Sequence, residues 1–202
     1  MLQNNSLRIF RPGYWKQRKI GKLVRAGHVP KGVTQDEIFE ALKVTRPKNA
    51  MEIFGFLTAK HHVKATGEVR DLGLQSVKKV TLAFAEYLAD GFCDSASAAL
   101  LDDFIYHGVG DGSTAEGTGD AALVSSQGTR VTGSQTHGAS SNIYKTVRTF
   151  VASAAYTAIE HGIFDTMTGG ELLDRSVLTT PPTVATADEV EYTYQLTINT
   201  ET

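Results

Sequence analysis

The sequence predicts a mainly β protein with minor α: an antiparallel β-sandwich or barrel body, one packed helix at about 76–91, and an extended basic N-terminal arm. Three observations predict it. From Phe54 the apolar pattern repeats every second residue, the period of a half-buried strand. After Leu101, short runs rich in Val, Thr, Ile and aromatics alternate with Gly-rich connections, and no helical stripe separates them, which argues against a doubly wound α/β fold. Charge is also divided by position. Residues 1–50 carry eleven Lys and Arg against three acids, a balance of +8, and the remaining 152 carry nine against nineteen, a balance of −10. The formal net charge of −2 conceals that division.

The chain therefore reads as a basic arm over 1–50, with a short helix near 35–44, and a β-rich body over 54–202. Residues 1–33 show no sustained periodicity and are broken by Pro12, Gly13, Gly21, Gly27, Pro30 and Gly32. Aromatic Phe10, Tyr14 and Trp15 are interleaved with Arg8, Arg11, Lys16, Arg18, Lys19, Lys22 and Arg25. A solvated tail lacks such aromatics, so these ten residues are the candidate partner-binding set. Thr34 followed by Glu37 is a capping box: the hydroxyl caps a free amide and the carboxylate reaches back. Ile38, Ala41 and Leu42 then form one apolar face, and Pro47 follows the helix end.

In the body, Phe54–Val63 and Val69–Leu74 flank the turn Lys64-Ala65-Thr66-Gly67-Glu68 and predict a hairpin. Ser76 is placed to cap a helix whose Val77, Val80, Phe84, Tyr87 and Leu88 share one face. Phe104–Val109, Thr129–Gln135, Ile143–Ala152, Ala158–Phe164, Leu172–Leu178 and Glu189–Ile198 are the further strands. The last alternates Val190, Tyr192, Tyr194, Leu196 and Ile198 with polar residues.

The residues offer little chemistry. Gly108–Asp120 is glycine-rich after a strand, but no helix start follows to receive a phosphate, and no Gly-Lys-Ser/Thr occurs. Asp111, Glu116 and Asp120 are weak candidates for a calcium site, at a spacing unlike an EF-hand. His61 and His62 are adjacent, so on a strand they face opposite sides, and His107 and His161 are read as packed or edge histidines. The expectation is no catalytic residue, no cofactor and no enzymatic activity.

Composition narrows the setting. No run of eighteen apolar residues exists to span a membrane, and no apolar segment follows the N-terminal charges as in a signal peptide. One cysteine, Cys93, excludes an internal disulfide and a cysteine metal cluster. The expectation is synthesis in cytoplasm.

From Phe104-Ile105-Tyr106-His107-Gly108-Val109-Gly110 onward, about half the chain resembles a family of tailed-bacteriophage virion structural proteins. The similarity runs through Ser113–Glu116, Asp120–Leu123, Gly138–Val147, Ala158–Phe164, Leu172–Val177 and Tyr192–Asn199. Pro181-Pro182 and the basic residues 1–50 depart from the pattern. The resemblance implies a virion location, after assembly in the host cytoplasm. It also implies the role of a capsid decoration or cement protein that stabilises the shell through its basic arm. A head–tail neck, tail or fibre-base component is the alternative, and a nucleic-acid-binding accessory protein the second. The partners implied are the major capsid protein, or portal, neck and tail proteins, together with further copies of the chain. Membrane is not among them, and nucleic acid ranks below protein.

Overall fold

The protein is described by a computed structural model covering residues 14–26, 28, 32–45, 52–93, 101–138 and 142–199. It divides into two compact units, Met1–Asn49 and Ala50–Thr202.

In the first unit, α1 (Tyr14–Arg25) packs on α2 (Gln35–Thr45). The helix α1 corrects the sequence expectation, which placed these residues in an extended arm. Gly21, expected to break a helix, lies on its buried face. Ile20 and Val24, four residues apart, are buried beside Gly21. This stripe is too narrow to stand out among five basic residues in the same stretch of sequence. Residues 1–13 of the expected arm lie outside the described residues. Helix α2 forms where its signals placed it. The Thr34 amide donates to Glu37 Oε2 at 3.0 Å and the Glu37 amide to Thr34 Oγ1 at 3.2 Å, a reciprocal capping box. Ile38, Ala41 and Leu42 are its buried face.

The second unit is mainly β. Strands β1 (Glu52–Val63) and β2 (Glu68–Lys79) form the expected hairpin, with Gly67 at φ +70° closing the turn. Strand β2 runs further than its sequence suggests. Ser76 and Val77, read as the start of a helix, are buried strand residues opposite Leu57 and Phe56. Helix α3 spans Leu82–Cys93 instead, and its N-cap is Thr81, whose Oγ1 accepts from the Phe84 amide at 3.1 Å. The Thr81 hydroxyl in turn donates to the Leu172 carbonyl. Val77 and Val80, three apart, fit one helical face, but strand pairing places Val77 opposite Phe56.

Leu101–Asp103, a single 3₁₀ turn, leads into β3 (Tyr106–Gly110), followed by β4 (Val131–Thr132), β5 (Ser134–His137) and β6 (Ile143–Val151). Then come β7 (Tyr156–Thr157), β8 (Glu160–Phe164), β9 (Leu172–Val177), β10 (Thr183–Val184) and β11 (Glu189–Asn199). A five-stranded sheet has the order β2-β1-β11-β6-β5 and a four-stranded sheet the order β4-β3-β8-β9, while β10 and β7 pair separately. Every pairing is antiparallel. The single strand expected at Thr129–Gln135 is broken at Gly133, whose amide donates to the Ile105 carbonyl at 2.7 Å. On one side of this glycine the chain pairs with β3, and on the other with β6.

The core lies between these layers. Leu57, Ala59, Val190, Tyr192, Tyr194 and Leu196 meet Val109, Ile163 and Leu173, and Phe84 of α3 joins the same cluster. Phe104 receives Phe84 and Tyr87 edge-on, each at 5.1 Å between ring centroids. Burying each such side chain contributes roughly 1.5–3 kcal/mol. Phe54 and Phe56 project from the other face of β1 and are buried as well, which makes β1 a two-sided strand.

Candidate functional site

Of the ten partner-binding residues read from the sequence, Arg8, Phe10 and Arg11 lie outside the described residues. Tyr14 and Trp15 open α1, with side chains outside the description. Lys16, Arg18, Lys19, Lys22 and Arg25 follow on the same helix. The 100° step per residue puts Lys19 and Lys22 opposite Ile20, Gly21 and Val24, and both lysines are exposed. Lys16 pairs with Glu37 at 2.7 Å. Hydrogen bonds from Lys16 and then Thr34 hold the Glu37 carboxyl below its usual range. The pair is exposed and adds little to stability. Arg25 has a structural task, since its Nη2 donates to the Leu42 carbonyl at 3.0 Å in the last turns of α2. The usable charge is therefore the outer face of α1, centred on Lys19 and Lys22.

The glycine-rich loop packs closely against its own sheet. The positive-φ glycines among the described residues are Gly32, Gly67, Gly73, Gly128, Gly169 and Gly170, all outside 108–120. Gly110 and Gly112 instead permit close approach within the chain, because a Cβ at either would overlap the Glu160 carboxylate. Glu160 on β8 is fully buried and is held from four directions. The Ser125 amide donates at 2.7 Å, the Val124 amide at 3.1 Å, the Gly112 amide at 3.3 Å, and Arg175 Nε at 2.6 Å. Arg175 also reaches Asp120 at 3.0 Å and the Thr114 carbonyl at 2.9 Å. Burial opposes its charge, but the bonds to Glu160 and Asp120 outweigh that and raise its pKa. One buried ion pair thus ties both ends of a long loop to the sheet beneath.

The three carboxylates weighed for calcium do not converge. Asp120 meets Arg175, Glu116 meets Lys78 at 3.2 Å, and Asp111 accepts from Gln127 at 2.8 Å. No group of three His, Cys, Asp or Glu among the described residues is arranged to hold a metal ion.

Sequence reading did not foresee the buried histidine pair. His107 on β3 and His161 on β8 sit two register positions apart, and His107 Nδ1 lies 3.0 Å from His161 Nε2. His107 Nε2 lies 2.9 Å from Thr146 Oγ1 on β6, so the pair bridges both sheets. His161 is tilted over Tyr192 at 4.7 Å. Burial, and then the Arg148 charge, push His107 down to about 3, and burial and His107 push His161 well below the usual value. The recurrence of His-Gly in two strands was the one available signal. Elsewhere His61 pairs with Asp188 at 3.1 Å, while His62 faces the other way. Asp174 accepts from Tyr194 and Ser176, each at 3.1 Å, and burial lifts its carboxyl to about 6. These polar groups bond to one another or to the backbone inside the sheets, as structural networks do.

Fold and site together define a class: a β-rich body of antiparallel sheets, and a small helical unit in which α1 carries a basic face. No protein-family model, curated protein or solved structure matches the chain. No helix among the described residues is long and apolar enough to cross a membrane.

Proposed function

We propose that the chain is a virion structural protein of a tailed phage, acting as a capsid decoration protein. Its basic unit attaches to an acidic shell surface, and its β body, associated with further copies, projects outward. The observation that carries this reading is a coincidence of two boundaries. The balance of charge changes from +8 to −10 at residue 50, and the chain divides into compact units at Asn49 and Ala50. A charge division that follows a structural division supports one unit for attachment and one for solubility. The resemblance of the body to virion proteins supports the particle as the setting. The outer face of α1, with Lys19 and Lys22, supplies the charge for steering, and Trp15 would supply an aromatic anchor.

Counting the protein in purified particles by quantitative mass spectrometry tests the reading. Hundreds of copies per particle are expected of a shell decoration. A count of about six to eighteen, the scale of closed rings, would move the protein to the neck or tail. Its absence from particles would overturn the proposal.

A further inference from the structure

The break at Gly133 has a consequence for β6. Strand β5 accompanies β6 only from Tyr144 to Val147, because at Ser134 the chain turns away toward β3. Strand β6 continues to Val151, and β11 pairs with it throughout. The direction of its backbone bonds follows from two contacts. The Ala152 amide donates to the Asp188 carbonyl, which turns the even-numbered positions toward β11. The Gly138 amide donates to the Ile143 carbonyl, which turns the odd-numbered positions toward β5. Thr149 and Val151 therefore aim their N–H and C=O groups at the side where β5 has ended. Among the described residues no strand pairs with them there.

That side is a groove of about 390 Å³. Residues Arg148–Tyr156 form one wall and Gln127–Thr129 with Val131 the other. Small residues at Gly128, Ala152, Ala154 and Ala155 leave room for a main chain. Val151 is 63% exposed. Arg148 is the one charged side chain in the lining. Its Nε is buried without a hydrogen-bond partner, and its Nη1 has only a long contact of 3.4 Å to the Thr132 carbonyl. The Arg148 guanidinium is thus weakly engaged within the chain, and a carboxylate reaching its outer nitrogens is the group that pairs with it best.

We propose that this groove is a strand-addition site: an extended peptide segment of a partner protein pairs with Thr149–Val151 and places a carboxylate on Arg148. The open backbone supplies affinity, and the arginine supplies selection for an acidic side chain. An acidic occupant, rather than the basic N-terminal segment of another copy, follows from the sign of Arg148. The inference goes beyond the particle reading and does not depend on what the helical unit binds.

Three peptides of seven residues, β-branched except for a central Asp, Asn or Lys, probe the site by NMR titration of the ¹⁵N-labelled full chain. The Asp peptide should shift the Thr149 and Val151 amides and slow their exchange with solvent. The Asn peptide should bind about tenfold or more weakly, the loss of one charge-assisted hydrogen bond, and the Lys peptide more weakly still. Arg148→Gln should abolish the preference for Asp over Asn. Val151→Pro should abolish binding while leaving the β11 pairing intact, since its N–H faces the groove and proline is tolerated at an open edge. Equal binding of the three peptides, shifts confined to other strands, or no shift at millimolar peptide would overturn the proposal. Protection of these amides that grows with protein concentration in the absence of peptide would assign the groove to a second copy, and would overturn it too.

Discussion

Acid should unfold the body through its histidine pair. Charging His107 breaks no hydrogen bond, because both ring nitrogens can donate, to His161 and to Thr146. The cost is solvation: the ring is fully buried, and the nearest charge acting on it, Arg148, has the same sign. A second proton, on His161, would set two N–H groups head to head. The unfolded chain binds protons near pH 6.5 that the folded chain refuses until about pH 3. Stability is thus complete above pH 6.5 and falls as pH drops toward 3. At about 1.4 kcal/mol per unit, His107 alone accounts for about 5 kcal/mol across that window, comparable to the whole stability of a small domain. With His161 acting in the same direction, the pair contributes a slope of about 3 kcal/mol per pH unit near pH 5. Urea unfolding between pH 4.5 and 7.5 measures it. The variant His161→Gln keeps a polar partner for His107 but removes one proton site, so its slope should be smaller by about half the contribution of the pair. Other titrating groups are common to both proteins and cancel in the difference. Identical slopes in the two proteins would refute the reasoning.

Asp174 should behave in the opposite sense. Its pKa is raised by burial, so its contribution to stability is present in acid and is lost as pH rises through about 6. Asp174→Asn should therefore exceed the parent by about 1.5 kcal/mol near pH 5 and by up to about 3 kcal/mol at pH 8. Thermal melts at the two pH values decide this, and a less stable variant at pH 8 would contradict it. Gly110→Ala should destabilise the body by roughly 1–3 kcal/mol, because the methyl would overlap the Ser125 carbonyl and Glu160. Gly119→Ala, with open space around it, should cost far less in the same urea titration.

What the sequence revealed was whatever local pattern decides. The β1–β2 hairpin, the Thr34–Glu37 box and the alternation of β11 each rest on residues within a few positions of one another, and all are present in the structure. What remained hidden depends on register. Ser76 reads as a helix cap until Val77 is seen buried in its place opposite Phe56. Glu160 resembles any solvent-facing strand carboxylate until the loop 111–125 closes over it. Helix α1 was obscured by composition, since two buried apolar residues carry it through a stretch otherwise read as basic and glycine-broken. The open edge of β6 arises from one glycine whose sheet change leaves no local trace in the sequence.

The central claim is that attachment resides in the first unit and solidity in the second. Binding to particles assembled without the protein, followed by co-sedimentation, tests it most directly for the full chain, for residues 50–202 alone, and for Lys19→Glu with Lys22→Glu. The body should remain folded without the first 49 residues, because its core comes from its own strands and α3. The full chain should sediment with particles, the truncated body should stay in solution, and the double charge reversal should bind more weakly, most visibly at low salt. Full occupancy by residues 50–202, or binding indifferent to Lys19 and Lys22 at every salt concentration, would contradict the account.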